Sequence, residues 1–111
     1  MANFTDQTVL ITGGGTGIGR ATALLFAEHR ANVVVNYSKS KDDADATVAD
    51  VQKLGRRAIA VQADVSDDTA VVAMVEQTMS EFGRLDVLVN NAGMTHIVPV
   101  SYTHLTLPTK A

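Results

Sequence analysis

The residues best suited to chemistry lie in a glycine-rich stretch near the start of the chain. Residues 12–19 read TGGGTGIG and connect an apolar run at 9–11 to a segment of helical character. Glycine suits such a turn because it adopts positive φ angles and lets a ligand approach without a Cβ in the way. The free N–H groups of a helix N-terminus then favour an anion such as a pyrophosphate. Gly13, Gly17 and Gly19 have the spacing Gly-x-x-x-Gly-x-Gly, and their place between a strand and a helix predicts a nucleotide-binding turn.

Four short apolar runs alternate with longer segments of helical period. Their β-branched, uninterrupted character is typical of strands buried on both faces of a parallel sheet. The order βαβαβαβ predicts an α/β fold of Rossmann type, with a doubly wound parallel sheet. Because crossovers are right-handed, we expect the strand order 3-2-1-4, with two helices on one face and the third on the other. The runs are Val9–Ile11, Val33–Val35, Ala58–Val61 and Val87–Val89.

Local signals place the ends of the helices. The first helix is predicted over about 17–29, burying Ile18, Ala21 and Leu25. Ser66 is the predicted N-cap of the third helix, and Gly83 follows its last apolar residue, where a left-handed conformation is favoured.

Composition excludes several classes of protein. The 111 residues permit one small domain, and 46% hydrophobic with 19% charged residues is ordinary for a globular protein. The net charge of −3 and the lack of a basic run argue against a nucleic-acid partner. There is no cysteine, so we predict no disulfide and no thiolate metal site. We find no signal peptide and no apolar run long enough to span a bilayer, and expect a cytoplasmic location.

Two further motifs follow later strands. Asn90-Asn91-Ala92-Gly93 comes after the fourth apolar run, and Asp64-Val65 comes after the third. Together with the glycine turn, they closely resemble the short-chain dehydrogenase/reductase family, over residues from about 5 to 98. Within that family the pattern is most similar to β-ketoacyl-acyl carrier protein reductases and related sugar dehydrogenases.

The resemblance implies a role for each matching residue. The three glycines would form the pyrophosphate turn, and Ile18 would contact the cofactor through its backbone. Asp64 would accept a hydrogen bond from the adenine amino group, although a plain loop or cap aspartate is the alternative. Asn90 would help to hold the central strands. The implied cofactor-binding residues are Gly13, Gly15, Thr16, Gly17, Ile18, Gly19, Asn36, Tyr37, Ser38, Asp64, Val65 beside the adenine ring, Asn90, and Ala92 and Gly93 against the ribose.

The residues after the second run select the cofactor. An acidic residue there would bind the adenosine 2′-hydroxyl and repel a 2′-phosphate. This chain has Asn36-Tyr37-Ser38-Lys39 instead, so a neutral amide, a hydroxyl and a positive charge favour NADP(H) over NAD(H). The alternative is that Lys39 is only a solvated loop residue.

The catalytic residues of the family are not matched. The resemblance implies hydride transfer to or from a carbonyl or alcohol substrate, with a serine and a Tyr-x-x-x-Lys pair beyond Asn-Asn-Ala-Gly. Tyr37 is followed by Lys41, but at the adenosine end, and Tyr102 is followed by Thr106. His96 follows the Asn-Asn-Ala-Gly turn, and a solvated loop position is favoured for it over a place near a substrate pocket. We therefore assign no catalytic and no metal-binding residue, and expect this chain to be inactive and its parent to be a homo-oligomeric enzyme.

Two rivals remain for the function. One is a non-catalytic dinucleotide-binding module, which would keep the glycine turn without the tyrosine. The other is a flavodoxin-like or receiver-type domain, but a receiver needs acidic residues where this chain has glycines. The family also has glycine near the end of the first helix, where this chain has Arg30. A left-handed backbone there would cost about 1 kcal/mol.

The end of the chain departs from the family. Residues 100–109, VSYTHLTLPT, match residue for residue the translation of a widely used transposase sequencing adapter. We therefore predict an incomplete NAD(P)-binding domain over 1–98, truncated after the fourth strand, and a non-native read-through tail over 99–111. A genuine divergent C-terminus is the alternative. The fourth strand would then be a bare, apolar edge, which favours association.

Overall fold

A computed structural model describes residues 3–91 and 96–103, the latter stretch mainly through its backbone. Strands and helices alternate as expected, and each parallel strand contains one of the four apolar runs. In chain order the elements are β1 (Thr8–Ile11), α1 (Gly17–Glu28), β2 (Asn32–Tyr37), α2 (Lys41–Lys53), β3 (Ala58–Gln62), α3 (Asp68–Phe82), β4 (Arg84–Asn90) and β5 (His96–Thr103).

The sheet has the order β3-β2-β1-β4-β5, and its first four strands are parallel. This confirms the predicted order and the α/β doubly wound fold. Alternate residues of β1 and β2 point to opposite faces. Val9 and Ile11 pack in one core cluster with residues of α1 and α2, whereas Leu10 packs in a second cluster with Met74 and Met79 of α3. Among the described residues, no helix is long and apolar enough to cross a membrane.

The expectation of a bare edge at β4 is wrong. β5 pairs with β4 in antiparallel orientation, with Leu88 opposite Val98 and Val89 opposite Ile97. An antiparallel neighbour needs only a short connection, and it supplies partners for backbone groups that would otherwise remain unpaired at the edge. The strand also continues across the predicted domain boundary at 98/99.

The buried face of α1 differs from the predicted stripe. Ile18 and Leu25 are 66% and 53% exposed, and Ala21 is exposed as well. The buried residues follow one position later, including Gly19 and Phe26. Phe26 packs edge to face on Phe4, with ring centroids 5.0 Å apart. A shift of one residue rotates a helix by about 100°, so these contacts turn the predicted stripe towards solvent.

The ends of the helices confirm some predictions and correct one. Asp67, not Ser66, caps α3, because its carboxylate accepts hydrogen bonds from the amides of Thr69 and Ala70. Gly83 ends α3 with φ +76°, as predicted. Arg30, after α1, also has φ +76°, so a residue with a side chain adopts the left-handed conformation there.

Candidate functional site

The carboxyl ends of the parallel strands bring the predicted binding residues to one edge of the sheet. The glycine turn follows β1, residues 38–40 follow β2, Asp64 lies beyond β3, and Asn91 follows β4. A cavity of about 160 Å³ lies between the glycine turn and the β2–α2 connection. Its walls are Gly13, Gly15, Thr16, Asn36, Tyr37, Ser38, Lys39 and Ser40.

The N-terminus of α1 is open to an anion. Thr16 is the N-cap residue, but its side chain makes no capping hydrogen bond, and the first turn has no acidic residue. Within residues 3–91 and 96–103, no side chain accepts a hydrogen bond from the amides of Gly17, Ile18 or Gly19. Gly17 has φ +55°, and a Cβ built on it would meet no atom within 4 Å. A positive helix end, unpaired amides and open space coincide here, as a pyrophosphate requires.

Gly19 leaves no room for a side chain. A Cβ built on Gly19 would lie 2.1 Å from the carbonyl oxygen of Gly13 and 2.9 Å from Nδ2 of Asn91. The first turn of α1 therefore rests directly on the glycine turn that precedes it. Gly15 is buried against the start of α2. A Cβ built on Gly15 would lie 2.9 Å from the amide nitrogen of Ala44.

The side chain of Asn36 points into the protein. It is buried, and its amide group bonds to the amide of Gly13 and to the carbonyls of Val61 and Ala63. The sequence contains a signal for this orientation that the motif comparison missed. Because side chains alternate along a strand, Asn36 shares the face of buried Val34, whereas Tyr37 shares that of Val35.

Four polar side chains that line the cavity are exposed, those of Thr16, Ser38, Lys39 and Ser40. The backbone carbonyl of Ser38 accepts a hydrogen bond of 3.0 Å from Gln62, and Ser38 itself is exposed. Tyr37 is half-buried against the core. Lys41 forms an ion pair of 2.7 Å with Asp45, and the hydrogen bond that Lys41 donates to this carboxylate raises the pKa of Lys41. Tyr37 and Lys41 therefore do not form a catalytic pair, although they are four residues apart.

Asp64 and Val65 are exposed at the same edge. The hydroxyl and the amide of Ser66 donate to the Asp64 carboxylate, and these bonds lower its pKa. The positive charge of Lys39 acts on the carboxylate in the same direction. Asp64 is thus held as an anion, which is the form that accepts hydrogen bonds.

Thr12 joins the ends of β1 and β4, a role that motif matching did not single out. Its buried hydroxyl accepts a hydrogen bond of 2.8 Å from the amide of Asn91. The same hydroxyl lies 3.3 Å from Oδ1 of Asn90, in keeping with the strand-holding role expected for that residue. Asn91, which the predicted set omitted, places Nδ2 3.4 Å from the carbonyl oxygen of Gly13.

Some predicted residues lie outside this description. Ala92 and Gly93 are not among the described residues, and only the backbone is described for His96 and Tyr102. In the part of the chain that is described, no group of His, Asp or Glu side chains could hold a metal ion.

Comparison with known proteins identifies similar sequences and structures. A family model described as short chain dehydrogenase matches residues 7–107. The short-chain dehydrogenase/reductase homolog YusS of Bacillus subtilis is 44% identical over 98 residues, which are 88% of this chain and 90% of that protein. The 3-oxoacyl-acyl-carrier-protein reductase FabG of Staphylococcus aureus is 48% identical over 89 residues, covering 80% of this chain but 36% of the reductase.

The solved structures show the same pattern. A short chain dehydrogenase from Burkholderia cenocepacia in complex with NADP superposes with a TM-score of 0.79 at 47% identity. The match covers 83% of this chain and 38% of that one. A hydroxysteroid dehydrogenase from Escherichia coli gives a TM-score of 0.77 at 36% identity. The chain therefore spans little more than a third of the length of these longer relatives.

Proposed function

The chain belongs to the short-chain dehydrogenase/reductase family, and we propose that it forms the cofactor-binding half of an oxidoreductase that uses NADP(H) in preference to NAD(H). The observation that carries this proposal is the uncapped N-terminus of α1 beside a cavity bordered by Ser38 and Lys39. When bound, the nicotinamide cofactor would supply or accept the hydride.

The pyrophosphate would be held by the first-turn amides of α1. These N–H groups carry the partial positive charge of the helix end. The open space beside Gly17 would admit the phosphate oxygens, since a Cβ built there meets no atom within 4 Å apart from its chain neighbours and the backbone of α1. Asp64 would accept a hydrogen bond from the adenine amino group, with Val65 beside the ring. Asn90 would help to hold the central strands, and Ala92 and Gly93 would lie against the ribose.

The preference for NADP(H) rests on charge. Residues 36–40 contain no carboxylate that would repel a 2′-phosphate, and Lys39 provides a cation at the edge of the cavity. Ser38 presents a hydroxyl that donates to a phosphate oxygen. The NADP found with the Burkholderia cenocepacia relative supports the same choice.

We propose that hydride transfer between the cofactor and a small carbonyl or alcohol substrate needs residues beyond this chain. The sequence has two tyrosines, and neither provides a Tyr-x-x-x-Lys pair after Asn90. We further propose that residues 1–98 represent the family domain and that 99–111 are foreign to it. A non-catalytic dinucleotide-binding module is the second candidate, favoured if the parent reading frame lacks Tyr-x-x-x-Lys downstream.

The test is a calorimetric titration of the 111-residue chain with NADPH and with NADH. We expect saturable binding that is tighter for NADPH. Gly17→Ala places a methyl group in the proposed pyrophosphate space and should weaken binding by roughly tenfold or more. Gly83→Ala is the matched control, because it introduces a similar positive-φ strain with open space around the methyl group, but at the far end of α3. A folded chain that binds neither cofactor contradicts the proposal.

A further inference from the structure

The side chain of Asn36 is buried and hydrogen-bonded within the protein, so it is not free to bind a cofactor. Its side chain is 2% exposed. Oδ1 accepts a hydrogen bond of 3.2 Å from the amide of Gly13. Nδ2 donates to the carbonyls of Val61 at 3.3 Å and Ala63 at 3.1 Å. Both donors of the amide group and one lone pair of its oxygen are thus used within the protein.

These contacts join three segments that the cofactor would touch. The carbonyl of Asn36 also accepts a hydrogen bond of 3.0 Å from Gly14, so its backbone and side chain hold successive amides of the glycine turn. On the opposite side, Ala63 immediately precedes Asp64, and its amide donates to the carbonyl of Tyr37 at 3.0 Å. A single buried amide therefore links the pyrophosphate turn, the end of β2 and the segment leading to Asp64.

We propose that Asn36 is a positioning residue, which fixes the glycine turn from inside and does not read the cofactor itself. This inference rests on the proposed cofactor binding. Gly13 has φ +62° at the entrance of the turn, and its amide is the group that Asn36 fixes. Recognition of the 2′-position then falls to the exposed Ser38 and Lys39.

Two substitutions separate positioning from direct recognition. Asn36→Ala removes the side-chain amide, so the Gly13 amide and the carbonyls of Val61 and Ala63 lose their partner without a charge being added near the cofactor. We expect this variant to bind NADPH and NADH more weakly by the same factor, roughly tenfold, because one buried hydrogen-bonded group is lost. Ser38→Asp should instead reverse the preference for NADPH without changing the melting temperature, because its carboxylate lies in solvent at the cavity.

The titrations are made on variants that circular dichroism shows to be folded. Each outcome then decides whether Asn36 positions the glycine turn or reads the cofactor. Equal weakening of both cofactors supports positioning. A loss confined to NADPH in Asn36→Ala means that Asn36 reads the 2′-phosphate, and the proposal is wrong. A lower melting temperature with unchanged affinities means that Asn36 is structural only, which also overturns it.

Amide hydrogen exchange in the unsubstituted chain provides a second test if Asn36→Ala does not fold. The Gly13 amide should be protected without cofactor, since Asn36 already binds it, whereas the Ile18 amide should exchange rapidly until NADPH is added. Rapid exchange at Gly13 contradicts the proposal. If the folded chain binds neither cofactor, the proposed function fails, while protection at Gly13 still tests whether Asn36 holds the turn.

Discussion

Ser66 donates two hydrogen bonds to one oxygen of Asp64, from its amide at 2.9 Å and from its hydroxyl at 2.6 Å. Such a local turn fixes the carboxylate relative to the backbone. Among the described residues nothing donates to the second oxygen, which therefore lies available to an outside donor. The adenine amino group is the donor that we propose, so Ser66 presents Asp64 to the cofactor.

The first prediction concerns the charge of Asp64. The Ser66 hydroxyl is the largest cause of its lowered pKa, so Ser66→Ala should raise that pKa towards the ordinary aspartate value. Because the folded-state pKa lies below the unfolded one, the stabilising effect of the carboxylate is present above the unfolded pKa and is lost as the pH falls through the folded pKa. A ¹³C NMR titration of the carboxyl group measures the change. Ser66→Thr retains a hydroxyl and should restore the low pKa, whereas identical midpoints in Ser66→Ala and the parent chain contradict the assignment.

The second prediction tests the adenine contact. Asp64→Ala should weaken NADPH binding by roughly tenfold, the usual loss for a hydrogen bond to a charged group. The hypoxanthine analogue of NADPH has no 6-amino group, so its affinity should be the same in both proteins. Titrating each protein with each cofactor completes the comparison. A loss of the same size for the analogue would assign Asp64 to the shape of the loop rather than to recognition of the amino group.

The sequence predicts the sheet well because strands that are buried on both faces have a recognisable composition. Runs such as Val33–Val35 are β-branched without interruption, and right-handed crossovers then permit few strand orders. The face of α1 was mispredicted because Ile18 and Leu25 look apolar, while small Gly19 makes the closest contact. The motif comparison places Asn36 in the site but does not show that its side chain is buried.

β5 could not have been predicted from the family pattern. Its pairing depends on the backbone of β4 having an unpaired edge, which is a property of the folded sheet and not of a local motif. The helix caps show the same limit. Asp67 and Ser66 are both good N-cap residues, and the sequence alone does not decide which of them starts α3.

The third prediction uses two residues with the same backbone angle. Arg30 and Gly83 both follow a helix with φ +76°, but only Arg30 has a Cβ. Arg30→Gly should raise the free energy of unfolding by about 1 kcal/mol, and Gly83→Ala should lower it by about the same amount. Thermal unfolding should show shifts of about 4–8 °C in opposite directions for a domain of this size. Because neither position borders the proposed cofactor site, NADPH affinity should stay the same in both variants. If Arg30→Gly instead lowers the melting temperature and Gly83→Ala raises it, unfolded-state entropy rather than left-handed strain dominates at these positions.

The last prediction concerns the β4–β5 pair. A chain ending at Val98 loses the ladder positions opposite Arg84, Leu85 and Val87, so half of the β4 edge is exposed again. Unpaired strand edges recruit other chains, and we expect this variant to melt at a lower temperature and to form larger species in light scattering. A chain ending at Thr103 is the control, since it keeps β5 and removes only residues beyond it. If the two truncated chains melt alike and remain equally monodisperse, residues 99–103 do not stabilise the sheet, in spite of their pairing. If only the shorter chain associates, a segment that we propose to be foreign to the family stabilises the fold by completing a strand, because backbone pairing depends little on the side chains that the segment carries.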